Sequence, residues 1–258
     1  MTKHKRPQPA GWEPVADWYD GWVGKEGSEH HRRLALPAVL DLLDLRPEMH
    51  VLDIGAGQGV LAPHVAESGA RYTGVDVSAK LLALARKHHG KQGRFLQGDA
   101  RTLPQVKGLD AGAFDAAVFL LSIEDMNPLA DVIESAAWAL KDGGRVVILM
   151  RHPCFRVPRQ SGWGYDEGRD LQYRRVDSYL SPLSVPLKAY GKERSGKTIS
   201  FHRPLSHYVN ELAVSGLLID RLNEIPTYKT GANKAERRAN SEFPLFMALR
   251  AVKLNAGL

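Results

Sequence analysis

The sequence predicts an α/β fold, a doubly wound sheet of mostly parallel strands with helices on both faces. Two observations predict it. Short apolar runs alternate with longer segments whose apolar residues recur every three or four positions, and several of these runs end at glycine or acidic residues. Such alternation is typical of a parallel sheet, because each parallel strand needs a crossover connection to its neighbour.

The period of the apolar residues predicts the individual elements. Strands are predicted near residues 50–54, 71–76 and 93–97, over Phe114–Leu121 and Arg145–Met150, and over Leu217–Asp220 and Phe243–Val252. Helices are predicted over residues 29–45, 59–68, 78–89, 129–140 and 205–216. Ser78 is predicted to cap the third of these helices, because a serine hydroxyl accepts hydrogen bonds from the free N–H groups of a first turn.

A glycine-rich loop follows the first strand, where residues 53–59 read Asp-Ile-Gly-Ala-Gly-Gln-Gly. Alternating glycines at a strand-to-helix turn leave the backbone bare, so that a ligand can approach it closely. Asp76 ends the second strand seventeen residues past Gly59, where a ribose hydroxyl pair would find its acceptor. Together these two features favour a cofactor that contains adenosine.

Two cofactor types fit this pattern to different degrees. The dinucleotide fingerprint G-x-G-x-x-G/A requires a small residue where this chain has Val60. Asp53, at the floor of the loop, repels a pyrophosphate but suits a cofactor with an amino group and a sulfonium cation. Here the chain resembles the class I S-adenosylmethionine-dependent methyltransferases, whose first motif D/E-x-G-x-G-x-G matches residues 53–59 at each position. A nucleotide-dependent dehydrogenase is the alternative.

Four further segments resemble later motifs of that family in the expected order, namely residues 74–78, 95–100, 114–120 and 140–148. The resemblance implies a seven-stranded sheet with an antiparallel last strand, and S-adenosylmethionine as the cofactor. It implies that Asp53 accepts from the cofactor's amino group, that Asp76 binds the ribose, and that Asp99 with Ala100 meets the adenine edge. The full set of implied cofactor-binding residues is Tyr19, Asp53, Gly55, Ala56, Gly57, Gly59, Asp76, Val77, Gly98, Asp99, Ala100 and Leu120.

Candidate catalytic residues lie in two loops at the carboxyl ends of strands, where ligands of open α/β sheets bind. Glu124 and Asp125 follow the fourth strand, and either could be a general base or bind a cationic acceptor. Alternatively, Asp125 caps the next helix and Glu124 is solvated. His152 follows the fifth strand and could deprotonate an acceptor near neutral pH, or it is a buried, hydrogen-bonded histidine. The histidines and the single Cys154 lack metal-ligand spacing, so we expect no metal.

Composition is that of an ordinary soluble globular protein, with 258 residues of which 43% are hydrophobic and 25% charged. No apolar run approaches the ~20 residues that span a bilayer, and the basic N-terminus lacks the apolar core of a secretory signal. One cysteine is compatible with the reducing cytoplasm, which is the expected location. Residues 1–28 are predicted to form an N-terminal tail and lid segment that carries Tyr19, and residues 29–258 the methyltransferase domain.

The alternation stops over residues 151–203, which are predicted to form a substrate-side insertion over the cofactor cleft. This insertion holds 11 Lys/Arg and 5 Asp/Glu, a surplus equal to the net charge of +6 of the whole chain. A small-molecule acceptor is favoured, with Trp163 and the insertion's tyrosines as apolar walls and its arginines binding an anionic group. An RNA methyltransferase is the alternative, in which phosphates would contact Arg156, Arg159, Arg174 and Arg175. A third possibility is a non-catalytic cofactor-binding protein.

Overall fold

The central element is a seven-stranded sheet. The computed structural model describes residues 11–188 and 197–255. Its strands are β1 (His50–Ile54), β2 (Arg71–Asp76), β3 (Arg94–Gln97), β4 (Phe114–Leu120), β5 (Leu140–Arg151), β10 (Leu217–Ile225) and β11 (Phe246–Lys253). The sheet has the order β10-β11-β5-β4-β1-β2-β3, and β11 runs antiparallel to both of its neighbours while β1 to β5 are parallel. The predicted doubly wound sheet with an antiparallel last strand is confirmed.

Helices cover both faces of this sheet. They are α1 (Ala16–Val23), α2 (Leu36–Leu43), α3 (Ala62–Glu67), α4 (Ala79–His89), α5 (Leu129–Ala139), α6 (Leu205–Val214) and α7 (Lys234–Glu242). Single turns of 3-10 helix occur at Glu13–Val15 and Ile123–Asp125, a longer 3-10 segment at Ala100–Gln105, and a π turn at His31–Ala35. The Ser78 hydroxyl accepts from the N–H of Leu81, so the predicted cap of α4 is present.

Two apolar layers sandwich the sheet because successive side chains of a strand point to opposite faces. In β1, Val51 packs in the layer formed with α2, α3 and α4, while Leu52 packs in the layer formed with α5 and α6. Val118 and Phe119 of β4 divide in the same way. Each of these buried side chains contributes about 1.5–3 kcal/mol to folding. Burial on both faces explains why these strands read as continuous apolar runs rather than alternating ones.

The insertion is more ordered than a loop. It forms two antiparallel hairpins, one of β6 (Ser161–Asp166) with β7 (Leu171–Val176) and one of β8 (Leu183–Lys188) with β9 (Lys197–His202). The last third of the chain also holds a helix that was not predicted, since α7 lies between β10 and β11, in a segment to which no element was assigned. In α7 only Ala235 and Ala239 are buried, so its apolar stripe is too narrow to be read from the sequence.

Strand order reverses between β1 and β4, which are neighbours in the sheet although β2 and β3 separate them in the chain. Crevices at such a switch point are where open α/β sheets bind ligands, beyond the carboxyl ends of the strands. The loops after β1, β2, β3 and β4 all open at this end. The fold therefore brings together the segments that the sequence singled out.

Candidate functional site

A cavity of about 400 Å³ lies at the switch point of the sheet. This volume is in the range of small-molecule sites, roughly 300–1,000 Å³. Its walls come from the N-terminal segment, the loops after the first four strands, and the β8–β9 hairpin. The lining residues are Trp12, Tyr19, Gly55, Gly57, Val75, Asp76, Val77, Leu81, Gly98, Asp99, Ala100, Arg101, Leu120, Leu121, Ser122, Asp125, Met126, Asn127, Ser184, Ile199 and Phe201.

Asp76 lines the cavity at the end of β2. Its Oδ2 accepts from the backbone N–H of Gly57 at 2.8 Å, and its Oδ1 accepts from the N–H of Ser78 at the same distance. Burial raises the pKa of Asp76, while these backbone hydrogen bonds lower it. A carboxylate has about four acceptor positions, so each oxygen keeps one for a ligand hydroxyl. This geometry suits a ribose diol.

Gly55 is the point where the glycine loop meets the loop after β4. Its φ is +76°, a conformation that side chains disfavour. A Cβ placed there would lie 2.6 Å from Cβ of Ser122 and 2.7 Å from Cε of Met126. The Ser122 hydroxyl also donates to the carbonyl of Ile54 over 2.6 Å. Glycine at this position therefore lets the loop after β4 pack directly on the backbone of the glycine loop.

Three residues predicted to bind the cofactor do not line the cavity. Gly59 has a packing role instead, because a Cβ on it would lie 2.7 Å from the ring of Phe95. Ala56 is buried beneath the loop, and its N–H donates to the carbonyl of Val75. Asp53 is likewise buried behind the loop rather than exposed in it.

Asp53 nonetheless retains an unused acceptor. Its Oδ2 accepts from the hydroxyl of Tyr72 at 2.7 Å, and its buried Oδ1 has no partner within the described residues. Burial raises the pKa of Asp53 to about 7, against the lowering effect of the Tyr72 hydrogen bond. A buried acceptor without a donor is costly. Asp53 therefore supports the glycine loop from behind and keeps one acceptor that no described residue satisfies.

The wall predicted to face adenine carries an ion pair. The Asp99 carboxylate accepts from Nε of Arg101 at 2.9 Å and is also contacted by the Nη2 atom of that guanidinium. These hydrogen bonds hold the pKa of Asp99 below its usual value. Gly98 is required beside it because a Cβ there would overlap the side chain of Val106. Val77, Ala100 and Leu120 complete an apolar surface on this side of the cavity.

Glu124, predicted as a candidate base, does not line the cavity. Its Oε1 accepts from Nε of Arg151 and its Oε2 from the backbone N–H of Arg151, each at 3.1 Å. Its side chain is 14% exposed. The alternative expectation, that Glu124 is solvated, is wrong as well. Its carboxylate is mostly buried and accepts hydrogen bonds from Arg151.

Asp125 does line the cavity, at the end of the 3-10 turn Ile123–Asp125. It does not cap α5, whose first turn follows Pro128 without a side-chain cap. Burial and the neighbouring Glu124 carboxylate raise the pKa of Asp125 to about 8, and interactions with Arg151, Ser200 and Trp12 oppose this rise. Of the three candidate catalytic residues, Asp125 alone faces the cavity.

His152 lies outside the cavity. Nε2 of His152 lies 2.7 Å from Oε1 of Glu224, and Nδ1 accepts from the backbone N–H of Cys154 at 3.2 Å. Burial lowers the pKa of His152. Both ring nitrogens are engaged in the fold, so the structure corrects the prediction of a catalytic role in favour of the packing alternative.

The N-terminal segment closes one side of the cavity. The ring of Tyr19 stands edge-on to that of Trp12, with 5.2 Å between their centroids, and both line the cavity. A Cβ on Gly57 would be 3.7 Å from the Tyr19 ring, so this ring lies against the glycine loop. Burial raises the pKa of the Tyr19 phenol. Glu13 fastens the segment to α4, because its Oε2 accepts from the Ser78 hydroxyl at 2.6 Å.

The opposite side is closed by the β8–β9 hairpin of the insertion, through Ser184, Ile199 and Phe201. Trp163 does not wall the cavity as predicted. It belongs to the other hairpin, where its ring contacts Phe243 edge-on at 5.7 Å. The tyrosines Tyr165, Tyr173 and Tyr179 are also absent from the cavity lining, and Tyr190 lies outside the described residues.

The arginines of the insertion make contacts within the protein. Arg156 donates to the carbonyl oxygens of Phe243 and Pro244, and Arg174 to that of Phe155. Arg159 donates to the carbonyl of Pro186, while Arg175 pairs with Asp177. None of these four lines the cavity, so the predicted binding of an anionic group by the insertion's arginines is not supported.

Sequence reasoning missed several lining residues. Ser122, Met126 and Asn127 could have been named, because they lie in the loop after β4 to which the fold already pointed. Trp12 and Phe201 carry no comparable local pattern, since they come from distant segments that fold back over the sheet.

Comparison with known proteins identifies the family of this fold and site. A family model described as a methyltransferase domain matches residues 52–148. A ubiquinone biosynthesis O-methyltransferase from Vibrio parahaemolyticus is 30% identical over 246 residues, covering 90% of this chain and 95% of that protein. A protein of the same name from Sodalis glossinidius is 31% identical over 141 residues, and this alignment spans 57% of its length.

A solved structure shares the architecture over most of the chain. An S-adenosylmethionine-dependent methyltransferase from Mesorhizobium loti superposes with a TM-score of 0.68 at 25% identity, covering 84% of this chain and 96% of that one. This chain belongs to the class I S-adenosylmethionine-dependent methyltransferases, and S-adenosylmethionine is its cofactor. Within residues 11–188 and 197–255, no helix has the length and apolarity to cross a membrane.

Proposed function

We propose that this methyltransferase transfers the methyl group to an oxygen or nitrogen atom of a small-molecule acceptor bound in the 400 Å³ cavity. The names of the Vibrio and Sodalis relatives, both O-methyltransferases, support oxygen as the receiving atom. The geometry of the site supports a small acceptor.

The observation that carries this proposal is the division of one cavity into two unlike halves. On one side lie the glycine loop and Asp76, together with the surface around Asp99. On the other side lie Trp12, Ile199 and Phe201, which are apolar and come from segments outside the central sheet. A cavity of this size that joins a polar half to an aromatic half suits two small reactants side by side.

S-adenosylmethionine supplies an electrophilic methyl group on a sulfonium sulfur. The chain's own residues would hold and shield the reactants. Asp76 would bind the ribose hydroxyls and Ala100 would contact the adenine, while Asp53, buried behind the glycine loop, would support that loop. Holding two reactants in near-attack geometry contributes about 7–11 kcal/mol to lowering a barrier. Residues 11–28 act as the lid in this proposal, with Tyr19 and Trp12 excluding water; the predicted tail at residues 1–10 lies outside the described residues.

The same contacts disfavour RNA as the acceptor. Arg156 and Arg174 donate their guanidinium hydrogens to backbone carbonyls, and both stack near the ring of Trp163. They therefore join the first hairpin to the turn before β11. Phosphate binding would require a row of free cations leading to the cavity, and these arginines do not form one.

The test is methyl transfer from a donor with a tritiated methyl group to a metabolite extract and, separately, to total RNA. We expect label in compounds that pass a small-pore filter and none in the RNA precipitate. Asp76→Asn should abolish transfer and the thermal stabilisation by S-adenosylhomocysteine, because a ligand that binds the native state raises its melting temperature. Asp110→Asn, at an exposed acid remote from the cavity, is the control and should behave as wild type. Label found mainly in RNA would refute the proposal.

A further inference from the structure

The Asp99 carboxylate is fully used by the protein itself. Its Oδ1 accepts from the backbone N–H of Arg101 at 3.0 Å and from Nε of Arg101 at 2.9 Å. Its Oδ2 accepts from the same Nε at 3.0 Å and from Nη2 of that guanidinium. A carboxylate offers about four acceptor positions, and one residue fills them. The side chain expected at the adenine edge therefore has no acceptor left for the adenine amino group.

Arg101 keeps donors that face the cavity side of this ion pair. A guanidinium carries donors and no acceptor. Nε and Nη2 of Arg101 hold Asp99, and Nη1 donates to the backbone carbonyl of Asn127 at 3.4 Å. Each terminal nitrogen carries a pair of N–H groups, so each retains one after these contacts. The Arg101 side chain lines the cavity and is 25% exposed.

Arg203 fixes the orientation of the Asn127 side chain. Nη2 of Arg203, a buried residue, lies 3.0 Å from Oδ1 of Asn127. Because arginine only donates, the amide atom that faces it is the oxygen. Nδ2, the donor end of the amide, is then turned away from Arg203, and Asn127 lines the cavity. With Asp99 filled, the described polar side chains beside it, Arg101 and Asn127, offer hydrogen-bond donors.

We propose that Asn127 and Arg101 recognise the adenine of the cofactor through a ring nitrogen near its amino group, and that the Asp99 side chain does not bind the amino group itself. The inference rests on the proposed function, which places adenine against Ala100, and adds the residues that select the base. Ring nitrogens of adenine accept hydrogen bonds, whereas its amino group donates them. Donors on the protein therefore match the ring nitrogens.

The experiment measures dissociation constants of the full chain by calorimetry for S-adenosylhomocysteine and for three analogues. One analogue lacks the 6-amino group, and the other two have carbon in place of N1 or of N7, the ring nitrogens nearest that group. We expect the analogue without the amino group to bind within about threefold of the parent compound. One of the two ring analogues should bind about tenfold more weakly, because a donor on the protein loses its partner.

Two variants test the named residues. Asn127→Asp keeps an oxygen for Arg203 but replaces the donor by an acceptor, so the parent compound should bind about tenfold more weakly and the preference for the ring nitrogen should disappear. Arg101→Met frees the Asp99 carboxylate, so removal of the amino group should now weaken binding about tenfold. A purely structural role would weaken all four ligands equally. Asn210→Asp, the same exchange at an exposed position of α6 outside the cavity lining, should keep the wild-type pattern.

The wild-type measurements decide the inference even where a variant does not fold. A loss of about tenfold on removal of the amino group, or no loss with either ring analogue, would overturn it. These outcomes leave the small-molecule acceptor untouched. The proposed function fails by a different result, methyl label found mainly in RNA, which does not depend on how adenine is held.

Discussion

Arg151 and Glu124 join two loops that the sequence keeps apart. Nε of Arg151 lies 3.1 Å from Oε1 of Glu124, and the Arg151 backbone N–H donates to Oε2. The same guanidinium donates to Ser200 of β9 over 2.8 Å. One side chain thereby connects the end of β5, the loop after β4 and the hairpin over the cavity. It holds Glu124, which directly precedes Asp125 in the loop.

Breaking this ion pair should destabilise the fold. Glu124→Gln and Arg151→Met each leave a half-buried charge or donor without its partner, and we expect each to lower the free energy of unfolding by about 1–3 kcal/mol. In the double variant the loss should be less than the sum, with a coupling of about 0.5–3 kcal/mol by urea denaturation. The exposed pair Arg33–Glu29 is the control and should show far weaker coupling. Additive losses at 124 and 151 would contradict a direct interaction.

Asp125 should make stability depend on pH in a predictable direction. Its pKa is raised to about 8 in the folded state, against about 3.9 in an unfolded chain. Between these values the folded state keeps a proton that the unfolded state has lost, so stability falls as the pH rises. Relative to Asp125→Asn, which cannot ionise, wild type should lose about 3–4 kcal/mol between pH 5 and 8. Urea titrations at both pH values measure this, and a pH-independent difference would be inconsistent with the raised pKa.

The central sheet was accessible to sequence reasoning because its strands are buried on both faces. β1 spans His50–Ile54 as predicted, and the Ser78 cap is present. These elements depend on local period and local capping, which are properties of neighbouring residues. The glycine loop could also be predicted from the sequence, because its glycines are required by the local backbone geometry. Gly59, however, is needed for packing against Phe95.

The residues on the acceptor side of the cavity could not be predicted in this way, because contacts between distant segments determine which side chains face the cavity. Whether Glu124 or Asp125 faces the cavity depends on Arg151, which lies 27 residues further along the chain. Phe201 reaches the cavity only because β8 and β9 pair into a hairpin. No local pattern distinguishes Phe201 from Trp163, an aromatic of the same insertion that packs on α7's C-terminal side against Phe243.

Gly55→Ala should damage both loops of the site. The methyl group would be forced into Ser122 and Met126, and the residue would hold a φ of +76° that alanine disfavours. We expect a loss of about 2–3 kcal/mol of stability and loss of S-adenosylhomocysteine binding. Gly21→Ala is the matched control, since nothing lies within 4 Å of its Cβ position in α1. There alanine should raise stability by about 0.5–1 kcal/mol. Equal effects at both glycines in calorimetric unfolding would argue against the close approach at Gly55.

Tyr72→Phe tests the buried acceptor beneath the glycine loop. The variant removes the hydrogen bond to Oδ2 of Asp53, whose Oδ1 already lacks a partner within the described residues. We expect a loss of about 1–3 kcal/mol. The pKa of Asp53, about 7 in wild type, should rise further, because that hydrogen bond favours the ionised form. The destabilisation should therefore be larger at pH 8, where wild-type Asp53 is ionised, than at pH 6.

Tyr228→Phe is the control for this variant, because Tyr228 donates an equivalent hydrogen bond to Glu29 at the exposed surface. Its free energy of unfolding should match wild type at both pH values, since water replaces the lost partner there. S-adenosylhomocysteine should then distinguish two origins of the Tyr72→Phe effect. If Oδ1 of Asp53 accepts from the cofactor's amino group, bound S-adenosylhomocysteine gives the carboxylate a donor and restores part of the lost stability at pH 8. A stability difference unchanged by saturating S-adenosylhomocysteine would place that amino group away from Asp53.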